Sequence, residues 1–268
     1  EIAAEQLERA IEAKPGDPTP ATTLAELAYR AGREGEILNA VDRALDSIGA
    51  RTTNEADAAT RGRLFDTVRL MVDDAQRVQV DRGQSEAAVP DSVVSAPLLT
   101  DLIARLSRLA STPEQRVTAL LAEGLMRDAR QDTERALESY QRVLVDEELA
   151  RSSWRGFGFS VRADLEASRR VQALVRKVGG AAYGPFEVEA RARLDALGEA
   201  ADPAELEAIA RGYPIAGAAV DAWTRASDAR LAREEPYAAE RALRAAIATA
   251  ERIVESSVRE TPLHQARK

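Results

Sequence analysis

Apolar residues recur at three- and four-residue intervals along most of this chain, with polar residues between them. In one clear stretch the apolar positions are Leu64, Phe65, Val68, Met71 and Val72. This spacing is typical of an amphipathic α-helix, and prolines, glycines and capping residues divide the pattern into segments. We predict helices over about 2–13, 20–30, 34–48, 54–80, 98–109, 161–178, 215–233 and 236–258, with further helices from 113, 185 and 203.

One helix-turn-helix pattern occurs more than once. Its clearest copy comprises Leu120, Gly124, Ala136, Tyr140, Val143 and Leu144, with a turn at Gln131 and Asp132. A weaker copy comprises Leu24, Gly32, Ile37, Ala44 and Leu45, and a last one Trp223, Ser227, Ala239, Leu243, Ala246 and Ile247. The small residue in each copy allows two helix backbones to approach closely. One such pair cannot bury its apolar face alone, so stacked neighbours are expected.

The stretch 83–97, GQSEAAVPDSVVSAP, interrupts the helical pattern. Because a long structureless loop is uncommon within a compact array, we predict that it is a loop or linker. It would separate N-terminal helical hairpins, 1–82, from a helical repeat array, 98–260, with a polar tail at 261–268. The chain begins with Glu1 inside an amphipathic pattern, so we expect it to be a piece of a longer protein.

The composition favours helices packed on helices. Charged residues make up 31% of the chain and aromatic residues only 4%, while 45% are hydrophobic. We therefore predict an all-α protein. A net charge of −8 argues against nonspecific nucleic-acid binding by the whole surface. The sequence contains no run of 18 apolar residues, so it predicts no membrane-spanning segment. The lack of cysteine excludes disulfides and zinc-thiolate sites.

Residues that usually carry catalysis are scarce. The single histidine, His264, lies in the polar tail, and the sequence has no HExxH motif, P-loop or nucleophile elbow. The acid pairs Asp73–Asp74 and Glu147–Glu148 could serve acid/base chemistry, but on amphipathic helices of an acidic chain we expect a solvated face. We predict a protein that is not an enzyme, holds no metal and needs no cofactor; a helical enzyme is the less favoured alternative.

The segment 151–180 differs from the rest of the chain, with a net charge of +5 and a cluster of aromatic residues. One interpretation is a partner-binding surface for a protein or peptide, because exposed arginine and aromatic side chains are common binding hot spots. The basic charge would favour an acidic partner. The candidate residues are Trp154, Arg155, Phe157, Phe159, Arg162 and Arg169. The other interpretation, which we favour, is that the aromatic residues fill a gap between helices. Core positions in the following helix are predicted at Leu165, Val171, Leu174 and Val175.

The spacing of the repeated residues resembles the tetratricopeptide repeat (TPR), a 34-residue helix hairpin. The middle copy matches at Leu120, Gly124, Ala136, Tyr140 and Val143, and the last at Trp223, Ser227, Ala239, Leu243 and Ala246. Glu123 and Arg127 depart from the pattern, because Leu and Tyr are usual there. The resemblance implies antiparallel helix hairpins stacked as a TPR-like α-solenoid, and a non-enzymatic scaffold for protein–protein interaction.

A narrower resemblance covers about 99–250. The order of EQRVTALLAEGL, ALESYQRVL, AAYGPFEVEARARL and ADPAELEAIARGYP is similar to a helical segment of large planctomycete-type bacterial proteins. In those proteins the segment accompanies a PQQ-like (BamB-like) β-propeller. The resemblance implies that this chain is the helical part of a larger bacterial protein, and an alternative function as a brace or spacer for an adjoining β-propeller domain.

Overall fold

The structure is a computed structural model, and it describes residues 2–49, 55–84, 95–156 and 159–257. The described part is helical except for one small hairpin, so the predicted all-α class is confirmed. The helices are α1 Ile2–Ala13, α2 Pro18–Arg30, α3 Glu34–Gly49, α4 Glu55–Gln84, α5 Ala96–Leu109, α6 Pro113–Ala129, α7 Thr133–Val145, α8 Glu147–Arg151, α9 Ala163–Val178, α10 Gly184–Ala196, α11 Pro203–Gly212, α12 Gly217–Ala232 and α13 Pro236–Ser257. Strands β1 Ser153–Gly156 and β2 Phe159–Arg162 lie between α8 and α9.

The chain forms two compact units, Glu1–Met126 and Arg127–Lys268. In the first unit α2 packs on α1, α3 and α4, and α5 packs on α3 and α4. One continuous core fills this unit, and it includes the predicted face of α4, from Leu64 to Val72. Most of the predicted linker, 85–94, and the tail with His264 lie outside the described residues. The predicted domain boundaries and the stacked solenoid stay predictions.

In the second unit α7 packs on α9 and α11, and α12 packs on α11 and α13. A buried amide joins three of its segments. The Gln141 side chain donates a hydrogen bond to the carbonyl of Gly212 at 2.6 Å and accepts one from the Tyr183 hydroxyl at 2.8 Å. Since buried polar groups are costly when unpaired, this network fixes how α7, the end of α11 and the 3₁₀ turn Gly180–Tyr183 meet.

Helix starts follow the capping residues in the sequence. Asp202 forms a capping box with Glu205 at the start of α11, and Gln115 accepts hydrogen bonds from the backbone of Ser111 and Thr112 before α6. α2 begins at Pro18, two residues before the predicted Pro20, because the Asp17 carboxylate accepts from the Thr19 backbone N–H.

Three helix-to-helix turns share one backbone conformation. Gly32, Gln131 and Glu234 all have a left-handed φ, between 59° and 69°. In each turn the N–H of that residue bonds to the carbonyl three residues earlier, and the next N–H bonds to the carbonyl five residues before it. This is the hydrogen-bond pattern of a Schellman-type helix end. The next helix begins two residues after the left-handed residue in all three cases.

The shared turn places the repeated residues in one register. Seven residues before the left-handed residue lie Ala25, Gly124 and Ser227, which are small and buried, and five residues after it lie Ile37, Ala136 and Ala239, which are also buried. Gly32 is therefore the turn residue of the first copy, and Ala25 is its small residue. In the last copy Ser227 donates a hydrogen bond across the hairpin to the carbonyl of Ala239 at 3.0 Å.

The stretch without helical period, 151–160, contains most of an antiparallel hairpin. β1 pairs with β2 from Ser153 opposite Arg162 to Gly156 opposite Phe159. The predicted helix over 161–178 begins only at Ala163, because Val161 and Arg162 belong to β2. The prediction that Leu165 is a core residue is wrong, since 61% of its surface is exposed. Val171, Leu174 and Val175 are buried as predicted.

Candidate partner-binding cleft

The predicted partner-binding residues of the second unit divide between interior and surface. Trp154 is buried, with 5% of its surface exposed. Its ring meets Phe159 edge to face at 5.9 Å between centroids, and the guanidinium of Arg170 lies 5.4 Å from the ring centroid. Phe157 lies outside the described residues. The contacts of Trp154 therefore match the plug interpretation of this side chain.

The arginines of the candidate surface are exposed, and two of them face carboxylates of their own chain. Arg162 pairs with Asp164 at 2.5 Å, and Arg169 pairs with Glu166 at 2.7 Å. Arg155 is exposed on β1. A hollow of about 330 Å³ includes Arg162, but Trp154, Arg155, Phe159 and Arg169 do not line it. Of the described candidate residues, only Arg162 lines this hollow.

Behind this surface α9 buries a charged pair. Glu166 and Arg170 are both nearly inaccessible and lie 2.7 Å apart. Burial alone would raise the pKa of Glu166, but the hydrogen bonds and charges of Arg169 and Arg170 outweigh it and hold that pKa below its ordinary value. Since Arg170 also covers the Trp154 ring, part of the basic character of this segment serves internal packing.

The first unit contains a larger concavity between α2 and α4, which we call the α2–α4 cleft. Its volume is about 410 Å³, within the usual range for binding pockets. Its lining residues are Glu26, Tyr29, Arg30, Thr67, Leu70, Met71, Asp73, Asp74 and Arg77. The elements that form it are far apart in the sequence but pack on each other through the core of this unit.

The cleft has two apolar lining residues, one buried and one exposed. Met71 is buried in the core of the unit, whereas Leu70 beside it has 60% of its surface exposed. An isolated exposed leucine is ordinary on a protein surface. Leu70 differs because it lines a concave site in which polar groups are already held in place.

Hydrogen bonds between the two helices position those polar groups. The Tyr29 hydroxyl on α2 donates to Asp74 on α4 at 2.5 Å, and the Thr67 hydroxyl on α4 donates to Glu26 on α2 at 3.1 Å. Burial, the hydrogen bond to Asp74 and the charge of Asp74 all raise the pKa of Tyr29, so its hydroxyl stays a donor. Two carboxylates are thus held at the sides of the cleft.

The third carboxylate, Asp73, has a different environment. It pairs with Arg69 at 3.0 Å, and the charge of Arg77 also acts on it. Burial outweighs both arginines and raises the pKa of Asp73 above its ordinary value. The sequence predicted a solvated face for Asp73 and Asp74, and the structure places both in the cleft. Glu147 of the other pair is exposed and bonds to Arg151 at 2.5 Å.

The chemistry of the cleft suits recognition of a cationic, partly apolar group. Three carboxylates line it against two exposed guanidinium groups, those of Arg30 and Arg77, and Leu70 supplies the apolar contact. Among the described residues no three histidine, aspartate or glutamate side chains are arranged to hold a metal ion. The described helices also include none long and apolar enough to cross a bilayer.

Comparison of the chain with protein-family models, with curated proteins and with solved structures gives no match.

Proposed function

We propose that this protein is a TPR-like helical scaffold that binds a protein partner, and that the α2–α4 cleft receives a basic, amphipathic segment of that partner. The observation that carries the proposal is the exposed Leu70 in a cleft whose flanking carboxylates, Glu26 and Asp74, are fixed by hydrogen bonds from the opposite helix. A site whose polar groups are already ordered loses less conformational entropy on binding.

The repeated hairpins support the scaffold part of the proposal. Three turns with the same hydrogen bonds and the same register of buried residues indicate repetition of one helix-turn-helix unit. Arrays of such units commonly present extended binding surfaces.

The charge of the expected partner differs from the sequence prediction. An acidic partner was one option from the sequence if the basic segment 151–180 forms a recognition surface, but Arg162 and Arg169 face Asp164 and Glu166. In the α2–α4 cleft Asp73 is paired with Arg69, but Glu26 and Asp74 accept hydrogen bonds from neutral hydroxyl groups. Electrostatic complementarity therefore favours a basic segment.

The proposal can be tested with a fluorescein-labelled 14-residue peptide of leucine and lysine that forms a basic amphipathic helix. We expect binding by fluorescence anisotropy, weakening as salt is raised. Leu70→Arg should weaken binding at least tenfold. The matched control is Leu165→Arg, because Leu165 has 61% of its surface exposed against 60% for Leu70, and the charge change is the same.

Two further results complete the test. Asp74→Asn should also weaken binding, and a leucine–glutamate peptide of equal length should not bind. If Leu70→Arg weakens binding no more than Leu165→Arg, the peptide senses only the overall charge and the cleft proposal fails. The alternative function, a brace for an adjoining β-propeller, also predicts no difference between the two variants.

A helical enzyme is the weaker proposal. Acid/base chemistry needs a carboxyl group that can reach a substrate proton. In the cleft Asp73 is held by Arg69 and Asp74 accepts the Tyr29 hydroxyl. These contacts favour carboxylates that orient a bound segment.

A further inference from the structure

The outer face of α13 carries a stripe of apolar side chains, which we call the α13 stripe: Leu243, Ile247, Ala250 and Val254. The intervals of four, three and four residues place them on one side of the helix. Leu243, Ile247 and Val254 have 48%, 55% and 62% of their surfaces exposed. The neighbouring face of α13, with Ala239, Ala242 and Ala246, is buried.

In the other two hairpins the residue that corresponds to Leu243 is buried. The residue nine positions after the left-handed turn residue is Val41 in α3, Tyr140 in α7 and Leu243 in α13. Val41 and Tyr140 are buried, and only Leu243 is exposed. α3 also packs on α4 and α5, α7 also packs on α9 and α11, and α13 also packs on α9. The exposed apolar side chains of the α13 stripe remain available for contact with a further helix.

The charges beside the stripe are arranged so that the helix complements itself. Arg244 lies beside the N-terminal half of the stripe, where it pairs with Glu240 of its own helix at 2.6 Å. Glu251 and Glu255 lie beside the C-terminal half, where Glu255 is 4.0 Å from Arg176 of α9. Both pairs are exposed, so they contribute little to stability and can be exchanged for pairs with a second copy. A second α13 running antiparallel would bring Arg244 of each copy next to Glu251 and Glu255 of the other.

We propose that two copies of this chain associate through antiparallel α13 stripes. In this arrangement Leu243 lies opposite Val254 of the second copy, and Ile247 lies opposite its Ala250. The contact is isologous, because the same patch serves both copies. This inference does not depend on the α2–α4 cleft, and it concerns a different surface.

The dimer should be weak. The stripe extends over 11 residue steps, roughly 16 Å of helix at about 1.5 Å per residue. Such a contact is smaller than the roughly 1,600 Å² of a standard interface, so we expect a dissociation constant on the order of 10–100 μM.

Sedimentation equilibrium from about 1 to 500 μM tests the association. The average mass should rise toward twice that of the monomer, and Ile247→Glu should weaken the dimer at least tenfold. Val188→Glu is the matched control, because Val188 on α10 has 71% of its surface exposed. The control should behave as the unchanged chain does, and circular dichroism should show that both variants are folded.

Cysteine cross-linking tests the orientation, because the chain has no cysteine of its own. Leu243→Cys mixed with Val254→Cys should give a disulfide-linked dimer of the two variants under an added oxidant. Each variant alone should not, because like positions would be roughly 16 Å apart and a disulfide needs Cα atoms within about 7 Å.

Three results would overturn the proposal. One is a monomer at every concentration, and another is a dimer that Ile247→Glu leaves unchanged. The third is cross-linking of Leu243→Cys with itself as readily as with Val254→Cys, which would show that the helices are parallel.

Discussion

Replacing Trp154 by alanine should destabilise the protein strongly. The side chain is buried, its ring packs edge to face on Phe159, and Arg170 lies over it. A buried tryptophan replaced by alanine typically costs about 3–5 kcal/mol, because transfer free energy is lost and a cavity remains. The aromatic pair and the desolvated guanidinium each add about 1 kcal/mol or more, while the small hairpin can relax partly. We expect a loss of about 4 kcal/mol.

The loss in free energy of unfolding can be measured by urea and thermal unfolding. Far-ultraviolet circular dichroism should be the signal, because tryptophan fluorescence would itself change when Trp154 is replaced. For a unit of this size, 4 kcal/mol corresponds to a drop in Tm of roughly 10 °C. Trp223→Ala is the matched control. Trp223 is only partly buried, with Arg211 5.9 Å from its ring centroid, so about 1–2 kcal/mol is expected.

A small effect would refute this reasoning. If Trp154→Ala costs less than about 1 kcal/mol, its contacts do not support the fold. A variant that kept its stability but lost a binding partner would instead restore the interpretation of Trp154 as part of a recognition surface.

Three further predictions concern stability. Glu187→Ala should cost about 1 kcal/mol in urea unfolding, because this carboxylate accepts from the first backbone N–H groups of α12 in place of a local cap. An unchanged free energy of unfolding would contradict that role. Gln141→Leu should cost about 3 kcal/mol, since it leaves the Gly212 carbonyl and the Tyr183 hydroxyl buried without their partner, and a change near zero would contradict the network. The pKa of Glu166 is lower in the folded than in the unfolded chain, so the stability that its ionised form contributes is complete above the ordinary glutamate pKa and is lost as pH falls through the folded value. Glu166→Gln should therefore flatten the decline in the free energy of unfolding between pH 7 and 3. An unchanged slope would disprove this role of Glu166.

Most helix boundaries could be predicted because they depend on local chemistry. Pro113 and Pro203 begin helices beside capping residues, and those caps act within a few residues of the chain. The β1–β2 hairpin was not predicted, because four-residue strands are too short to show a clear alternating pattern. Missing the strands misplaced the start of α9 by two residues. Leu165 was wrongly assigned for another reason, since the buried face of α9 passes through Glu166 and Arg170.

The sites depend on contacts that sequence spacing does not show. Asp73 was expected to be solvated, since its own helix is amphipathic there. Asp73 is instead half-buried beside Arg69 and Arg77 of the same helix. The neighbouring Asp74 bonds to Tyr29 of α2, which lies 45 residues away in the chain. The buried face of α9 likewise includes Glu166 and Arg170, because each satisfies the other inside the protein.

The left-handed turns have a consequence for how repeats in such a chain are recognised. Only one of the three turns uses glycine; Gln131 and Glu234 adopt the same conformation with a side chain present. The turn is held by main-chain hydrogen bonds, which any residue except proline can donate. The identity of the turn residue can therefore change while the period of the array is kept. In this chain the repeats are therefore recognised more reliably from the backbone conformation of the turns than from a shared amino-acid sequence.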